Sequence, residues 1–457
     1  MSQPPPGDNQ WGQPPPQQWG QPQQWGQPQQ WGQPQGQYQG PPQGQYQQYP
    51  PQGGPPPPQR MSPFTHSAHD ILEVDIPSLH QWGAPPPQGY PPPQGHQQPW
   101  GAAPPPPQPG YQPPPQQQPP QNWGGAPAGP SAGPASAPSQ GFIPGQGAMG
   151  YDPSPDVEMI RKACKGFNTD EKALISTFVK LDPLQIESIN QKYTLDTKKQ
   201  LVSLVIDKTR GDLEMGLCAL ARGPLNFYVW LVEEAIKGIG TKEHYLDLAL
   251  LGRSNADINA IKTAYKAKYG KNLVSAVADD LSGAEKRMFD MVTSATRTED
   301  SVPVNPQFVA AEVKALHNAT EGRLGTDESE VSRIFVKNNN ATIAAILVEY
   351  ERTYHVLVET LIEKEFSGHQ KAALLFIMRG VKDKAKRDAE LIEKTMKGIG
   401  TRDEELAFRL ITAHWIPGAI PAIKAAYQRL YGKDLVSRVR GETSGDFERL
   451  LVAILNK

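Results

Sequence analysis

The chain has 457 residues, a formal net charge of −2 and 37% hydrophobic residues. So even a balance leaves no electrostatic footprint for a polyanion and argues against nucleic acid as a main partner. Its two cysteines, Cys164 and Cys218, both fall in apolar helical patterns, which excludes a disulfide framework and predicts two buried free thiols in a reducing compartment.

Residues 1–150 hold 41 of the 49 prolines and 7 of the 9 tryptophans, with Arg60 as the one basic residue and Asp8, Asp70, Glu73 and Asp75 as the acids. Too few aliphatic side chains are present to offset chain entropy by burial, so the stretch reads as a disordered, low-complexity Pro/Gln/Gly/Trp-rich tail. It opens Met-Ser-Gln-Pro-Pro-Pro, which lacks the basic start and apolar run of a secretory signal. Trp19, Trp25 and Trp31 recur inside Trp-Gly-Gln-Pro-Gln-Gln units, and later segments run Pro-Pro-Pro-Gln-Gly-Tyr. Proline extends such a chain while glycine loosens it, giving a semi-flexible spacer. Regular aromatics in a polar chain offer points for self-association or protein partners; a solvated tether with no specific partner is the alternative. Residues 61–80 are the tail's only aliphatic stretch, which suits a short docking motif and equally an insertion without a role.

Residues 151–457 carry 44 basic and 43 acidic residues and are long enough for a large core. No apolar run approaches the ~20 residues of a spanning helix, so a cytoplasmic protein with at most peripheral membrane contact is expected. A loop of one type then recurs: Lys165-Gly-Phe-Asn-Thr169, Lys237-Gly-Ile-Gly-Thr241, Gly322-Arg-Leu-Gly-Thr326 and Lys397-Gly-Ile-Gly-Thr401. The threonines are 72, 85 and 75 positions apart, and residues 296–307 read as a linker in the longest join.

The second copy predicts five helices. Phe227, Trp230, Leu231, Ala235 and Ile236 recur at helical spacing, and Gly238-Ile-Gly stops that helix. Thr241 is expected to cap a helix through Tyr245–Leu251, by the residue preferences of helix starts. A longer one follows with Ile258, Ile261, Ala264, Tyr265 and Tyr269 on one side, then a short one from Leu273 to Asp280, and a last one after Ser282-Gly283 with Met288, Phe289 and Val292. The period exceeds the roughly 20–50 residues of common solenoids, which favours one compact four-part body over an open array.

Behind three of the four loops stands an acid followed by two residues and a glycine: Asp280-Leu-Ser-Gly, Glu365-Phe-Ser-Gly and Glu442-Thr-Ser-Gly, with 38, 38 and 40 residues between threonine and acid. A turn that bares backbone carbonyls, paired at fixed distance with a carboxylate, suits a hard oxygen-seeking cation such as Ca2+. For a single loop the bland reading is a glycine turn with a threonine N-cap; the threefold recurrence with a carboxylate outweighs it. The residue between the glycines is apolar each time, Phe167, Ile239, Leu324 and Ile399. Such tips suit insertion into a lipid interface, or packing on a neighbouring helix. Lys237, Lys397 and Arg323 stand beside them, able to pair with headgroup phosphate or simply to face water.

These loops, the later Ser-Gly turns and the five-helix period make residues 155–457 resemble an annexin core, and the tail is similar to those of long-tailed annexins. The resemblance implies an all-α fold of four annexin-type repeats, five helices each, in a compact curved disc. Repeats fall at 155–225, 226–298, 308–380 and 385–457. It implies reversible calcium-dependent binding to acidic phospholipid membranes, with the tail as tether or partner-recruiting segment. By the family's pattern the second repeat offers the carbonyls of Ile236, Gly238 and Gly240 and the Asp280 carboxylate to one ion. The fourth offers Met396, Gly398, Gly400 and Glu442, and the third Arg323, Gly325 and Glu365. In the first, Asn168 replaces the second glycine and Lys208 stands where the acid belongs, so that site is expected to be weak or lost unless Asp207 or Asp212 substitutes.

An enzyme is not expected. His244, His317, His355, His369 and His414 are scattered without a His-Glu-x-x-His pattern, and neither a phosphate-cradling Gly-rich loop nor an EF-hand loop is present. The rival reading is a constitutive helical scaffold, or a tail-driven self-associating protein, indifferent to calcium. The stretch 411–421 stands where the second repeat has Arg253–Asp257, and the span Thr401–Tyr431 is two residues longer than Thr241–Tyr269, which puts the local fold there in question.

Overall fold

A computed structural model describes residues 133–322 and 324–457; the tail features at 1–132 and Arg323 lie outside the described residues. Every regular element among the described residues is a helix. The first repeat runs α1 (Ser154–Ala163), α2 (Glu171–Lys180), α3 (Pro183–Thr197), α4 (Leu201–Lys208) and the first half of α5 (Gly211–Ile236). The second takes the rest of α5, then α6 (Glu243–Leu250), α7 (Asn255–Tyr269), α8 (Leu273–Asp280) and α9 (Gly283–Thr293). The third has α10 (Pro306–Ala319), α11 (Glu328–Lys337), α12 (Asn340–Tyr354), α13 (Val358–Glu365) and the start of α14 (Gly368–Met396). The fourth completes α14 and adds α15 (Asp403–His414), α16 (Ala419–Tyr431), α17 (Leu435–Glu442) and α18 (Gly445–Leu455).

Two of these helices are broken where repeats join. In α5 the backbone leaves the helical region at Gly223 (φ 66°, ψ 171°), just before Pro224, and in α14 it does so at Asp383 (φ −159°, ψ 95°). Proline removes a helical donor and glycine accepts the positive φ, so the first break is written into the sequence. Each broken helix therefore supplies the last helix of one repeat and the first of the next. Contrary to the sequence expectation, α5 is long and apolar enough to span a membrane, but 78% of its apolar stretch is buried inside the protein and the break divides it. It is a core helix.

The helices interlock through repeated tyrosines. Tyr265, Tyr350 and Tyr427 are fully buried on α7, α12 and α16. Each aims its hydroxyl at a carboxylate near the end of the repeat's first helix: Tyr265 at Glu233, Tyr427 at Glu393, and Tyr350 at Glu321 at 3.1 Å. A buried phenol needs such an acceptor, so these pairs fix where the helix before each glycine loop must end. Between repeats, α5 packs on α15, α9 on α11 and α2 on α18, so the repeats close on one another. Phe227 lies at the centre of the first contact, 5.1 Å from the Phe408 ring and 5.4 Å from Trp415. The 411–421 stretch keeps the fold. It lengthens α15 to His414, buries Trp415, and restarts at α16 after Gly418 in the left-handed conformation.

Of residues 133–150, which composition groups with the tail, 133–142 run over the second repeat and the linker after it, and 145–148 run over α3 of the first, where the Ala148 amide donates to Ser188 Oγ at 2.8 Å and Gln191 Nε2 to the Gly145 carbonyl at 2.8 Å. Phe142 is buried beside Tyr228, with the Arg253 guanidinium 3.7 Å from the Tyr228 ring centre. The Ser139 amide and hydroxyl both donate to Asp257 at 2.7 Å, and those of Ser136 to Glu299 at 2.9 and 2.8 Å.

Truncating Phe227 to alanine empties a fully enclosed aromatic site and is expected to cost about 3–5 kcal/mol in a denaturant titration. Burial pushes the Cys164 and Cys218 thiols up to about 11, so both are expected to resist iodoacetamide at pH 8 until the protein is unfolded, as read by mass spectrometry.

Candidate metal centres

Each glycine loop lies where two helices end. In the second and fourth repeats the helix before the loop stops at Ile236 and Met396, leaving its last carbonyls without intrahelical partners. The acids stand at a second helix end: Asp280, Glu365 and Glu442 are the final residues of α8, α13 and α17. A helix carboxyl end already carries partial negative charge, and placing an acid there is unfavourable by about 0.3–1 kcal/mol in water. Three repeats make that choice. In the first repeat α4 ends instead on Lys208, the charge the dipole favours.

A threonine joins the two ends. Thr241 Oγ1 donates to Asp280 Oδ2 at 2.5 Å, Thr326 Oγ1 to Glu365 Oε2 at 2.9 Å, and Thr401 Oγ1 to Glu442 Oε2 at 3.1 Å. The expectation that Thr241 caps α6 is therefore corrected. Lys242 is the N-cap residue and makes no side-chain cap bond, as does Arg402 before α15. The threonine hydroxyl instead gives its proton to the carboxylate in a charge-assisted bond, and the helix-start amides, being donors, do not compete for it. Sequence spacing alone does not distinguish these two partners.

The loop glycines need their residue type for conformation. Gly238 and Gly240 have φ of 101° and 81°, Gly398 and Gly400 of 111° and 81°, and Gly325 of 81°. A Cβ at any of them would meet nothing within 4 Å, so the left-handed backbone, not crowding, excludes other residues. A backbone bond closes each loop: Lys242 N to Ala235 O at 2.8 Å, Arg402 N to Thr395 O at 2.9 Å, and Asp327 N to Ala319 O at 2.7 Å. The third closure spans one residue more than the others, and α10 ends at Ala319, so its carbonyl ladder is offset from the other two.

The tip side chains are fully exposed: Phe167 at 109%, Ile239 at 108%, Leu324 at 102% and Ile399 at 108% of a free residue's surface. This removes the alternative that they pack on a neighbouring helix. Lys237 and Lys397 are exposed beside them. The Lys364 ammonium and the Thr326 hydroxyl hold the Glu365 carboxyl below its ordinary range.

Two lysines were missed by the sequence reading. Lys286 Nζ donates to the Ala278 carbonyl at 2.6 Å and Lys371 Nζ to the Glu363 carbonyl at 2.9 Å, so each satisfies a carbonyl two residues before the acid. The signal lay in the Ser-Gly turns, Ser282-Gly-Ala-Glu-Lys286 and Ser367-Gly-His-Gln-Lys371, whose fourth-repeat counterpart ends in Glu448.

A second, independent sign bears on whether these loops suit a cation. In the first repeat Thr169 Oγ1 donates to the Lys208 carbonyl at 2.8 Å, and the Lys208 ammonium reaches the Gly166 carbonyl at 2.9 Å. In the fourth, one Arg438 guanidinium touches both the Met396 carbonyl, at 2.6 Å, and the Glu442 carboxylate. A positive group thus reaches both a carbonyl and a carboxylate oxygen in the fourth repeat, and oxygen groups of these two kinds are what calcium accepts, 6–8 at a time in loose geometry.

The annexin family model matches residues 155–220, 227–291, 311–377 and 387–454. Among similar proteins, annexin C1 of Cryptococcus neoformans var. grubii is 38% identical over 399 residues, covering 86% of this chain and 83% of its own. Mouse annexin A11 is 34% identical over 321 residues, covering 70% of this chain and 63% of its own. The solved structure of annexin III superposes with a TM-score of 0.64 at 27% identity, over 70% of this chain and 98% of its own.

Because Asp280 sits at a negative helix end, Asp280→Asn is expected to leave stability unchanged or raise it by about 0.3–1 kcal/mol in chelator, measured by urea unfolding. A clear loss of stability would mean that the acid serves the fold itself.

Proposed function

This chain belongs to the annexin family, known generally for calcium-dependent phospholipid binding, and from that premise we propose that three of its glycine loops dock it reversibly on acidic membranes when calcium rises. The observation that carries the reading is the threefold junction in which a loop threonine holds a carboxylate from a distant helix end beneath an exposed apolar tip.

In this reading the carbonyls of Ile236, Gly238 and Gly240 and the Asp280 carboxylate form one set. Met396, Gly398, Gly400 and Glu442 form another, and Gly325 and Glu365, with Arg323, a third. Calcium, when bound, supplies the divalent charge that lets a headgroup phosphate share the site. The threonines keep each carboxylate aimed at its loop, so little ordering is left to the moment of binding. Ile239, Leu324 and Ile399 enter the lipid interface, and Lys237 and Lys397 meet headgroup phosphates. The Lys208 ammonium takes the place of an ion in the first repeat, which leaves that loop to contribute Phe167 alone.

One carboxylate and a few carbonyls hold calcium weakly, on the order of 10⁻⁴–10⁻³ M without lipid. Lipid must then tighten calcium binding by the same factor as calcium tightens lipid binding. Several such loops on one chain act through effective concentration, giving a steep response to calcium. The protein would be cytoplasmic and peripheral on membranes, the tail serving as a tether or as a segment recruiting protein partners. The chemistry is binding; no catalytic step is part of it.

Full-length protein is expected to sediment with phosphatidylserine vesicles in calcium and to be released by chelator. The combined Asp280→Ala, Glu365→Ala and Glu442→Ala variant is expected to stay in the supernatant. Wild-type binding that ignores chelator would instead support a constitutive scaffold.

A further inference from the structure

The fourth repeat differs from the second and third in the side chain one turn before its acid. Four residues before the acid stand Ala276 in α8, Leu361 in α13 and Arg438 in α17. Arg438 makes three contacts: Nη2 donates to the Met396 carbonyl at 2.6 Å, Nη1 to Glu442 Oε1, and Nε to Glu393 Oε2 at 3.4 Å. The first two acceptors are atoms that the calcium reading assigns to the fourth site. The other Glu442 oxygen is held by Thr401, so both oxygens of this carboxylate are engaged. Glu393 in turn accepts from Tyr427, which anchors the guanidinium from behind. The lysine that satisfies the helix end below the acid in the second and third repeats is Glu448 here, so the junction relies on Arg438 for its positive charge.

We propose that Arg438 is a tethered counter-cation that sets the calcium affinity of the fourth loop below that of the second. The inference rests on the calcium reading of the loops and adds an order of filling to it. Asp280 accepts from Thr241 and has no arginine one turn back, so it is ready for an ion. Glu442 becomes ready only when the guanidinium withdraws, giving up a carboxylate and a carbonyl together. Arginine suits the role because its planar fork spans two acceptors and never loses its charge. Lys208 shows the permanent form of the same device: its ammonium is on the Gly166 carbonyl, and α4 ends on the lysine itself where the other repeats end on an acid. The fourth loop would thus respond only at higher calcium or against a surface rich in acidic lipid, giving the protein two stages of attachment.

The test uses full-length protein in which Asp280→Ala and Glu365→Ala leave the fourth loop as the remaining site, and reads the calcium needed for half-maximal sedimentation with phosphatidylserine vesicles. Adding Arg438→Gln is expected to lower that concentration about tenfold, the scale of one charge-assisted hydrogen bond. Arg440→Gln removes the same charge from the same helix, where the arginine faces Glu448 at 3.9 Å, and is expected to shift it little. Arg438→Met keeps the side-chain stem and serves if the glutamine variant melts early; its expected shift is the same. If wild type responds to calcium but the Arg438 variants shift no further than Arg440→Gln, the counter-cation is refuted while the calcium reading stands. If wild type shows no response to calcium at all, both fall.

Discussion

Two helix carboxyl ends brought together around a glycine turn are the constraint on which the rest of this protein depends. Each end is a cluster of carbonyls without intrahelical partners, and the placement of Asp280, Glu365 and Glu442 adds a full negative charge to one of them. Left alone the arrangement costs stability. Everything around it works to hold it together: tyrosines tie the first helix to the third, threonines clamp the acid, and positive-φ glycines turn the backbone outward. On the proposed reading, the positive charge that relieves this thrice-built junction is calcium.

The four junctions answer that need in different ways. The first has replaced the acid by Lys208 and satisfies a loop carbonyl from within. The second leaves Asp280 to its threonine, and the third adds an exposed Lys364 at 3.0 Å from Glu365, a surface pair of small worth. The fourth has recruited Arg438. A repeat protein can vary its response this way without altering its core, because the residues that change lie at helix ends, while Tyr265, Tyr350 and Tyr427 keep the packing constant. On the proposed reading, graded affinity among loops turns a single calcium signal into successive degrees of attachment.

Much of this was legible in the sequence. Five helices per repeat followed from apolar spacing and from Gly-x-Gly and Ser-Gly stops, and the helix boundaries around Gly238, Gly270 and Gly283 fall where those glycines put them. The exposed tips at Ile239, Leu324 and Ile399 were marked by apolar residues in otherwise polar turns. What stayed hidden were contacts between residues distant in sequence. Thr241 read as a cap because it precedes a helix start, and the carboxylate 39 positions away that takes its proton comes near only when the chain is folded. Arg438 carries no local signal of its role, since nothing near it in sequence says that Met396 lies within reach. The extra residue in the third loop was masked by the good match of its Gly325-Thr326 end, and the packing of Phe142 by the low-complexity stretch around it.

The most direct measurement is anomalous diffraction from crystals of the protein grown in calcium. The account predicts an ion about 2.3–2.6 Å from the Gly238 and Gly240 carbonyls and the Asp280 carboxylate, and none at Gly166 in the first repeat. Second-, third- and fourth-repeat loops that all remain without an ion at saturating calcium would contradict it.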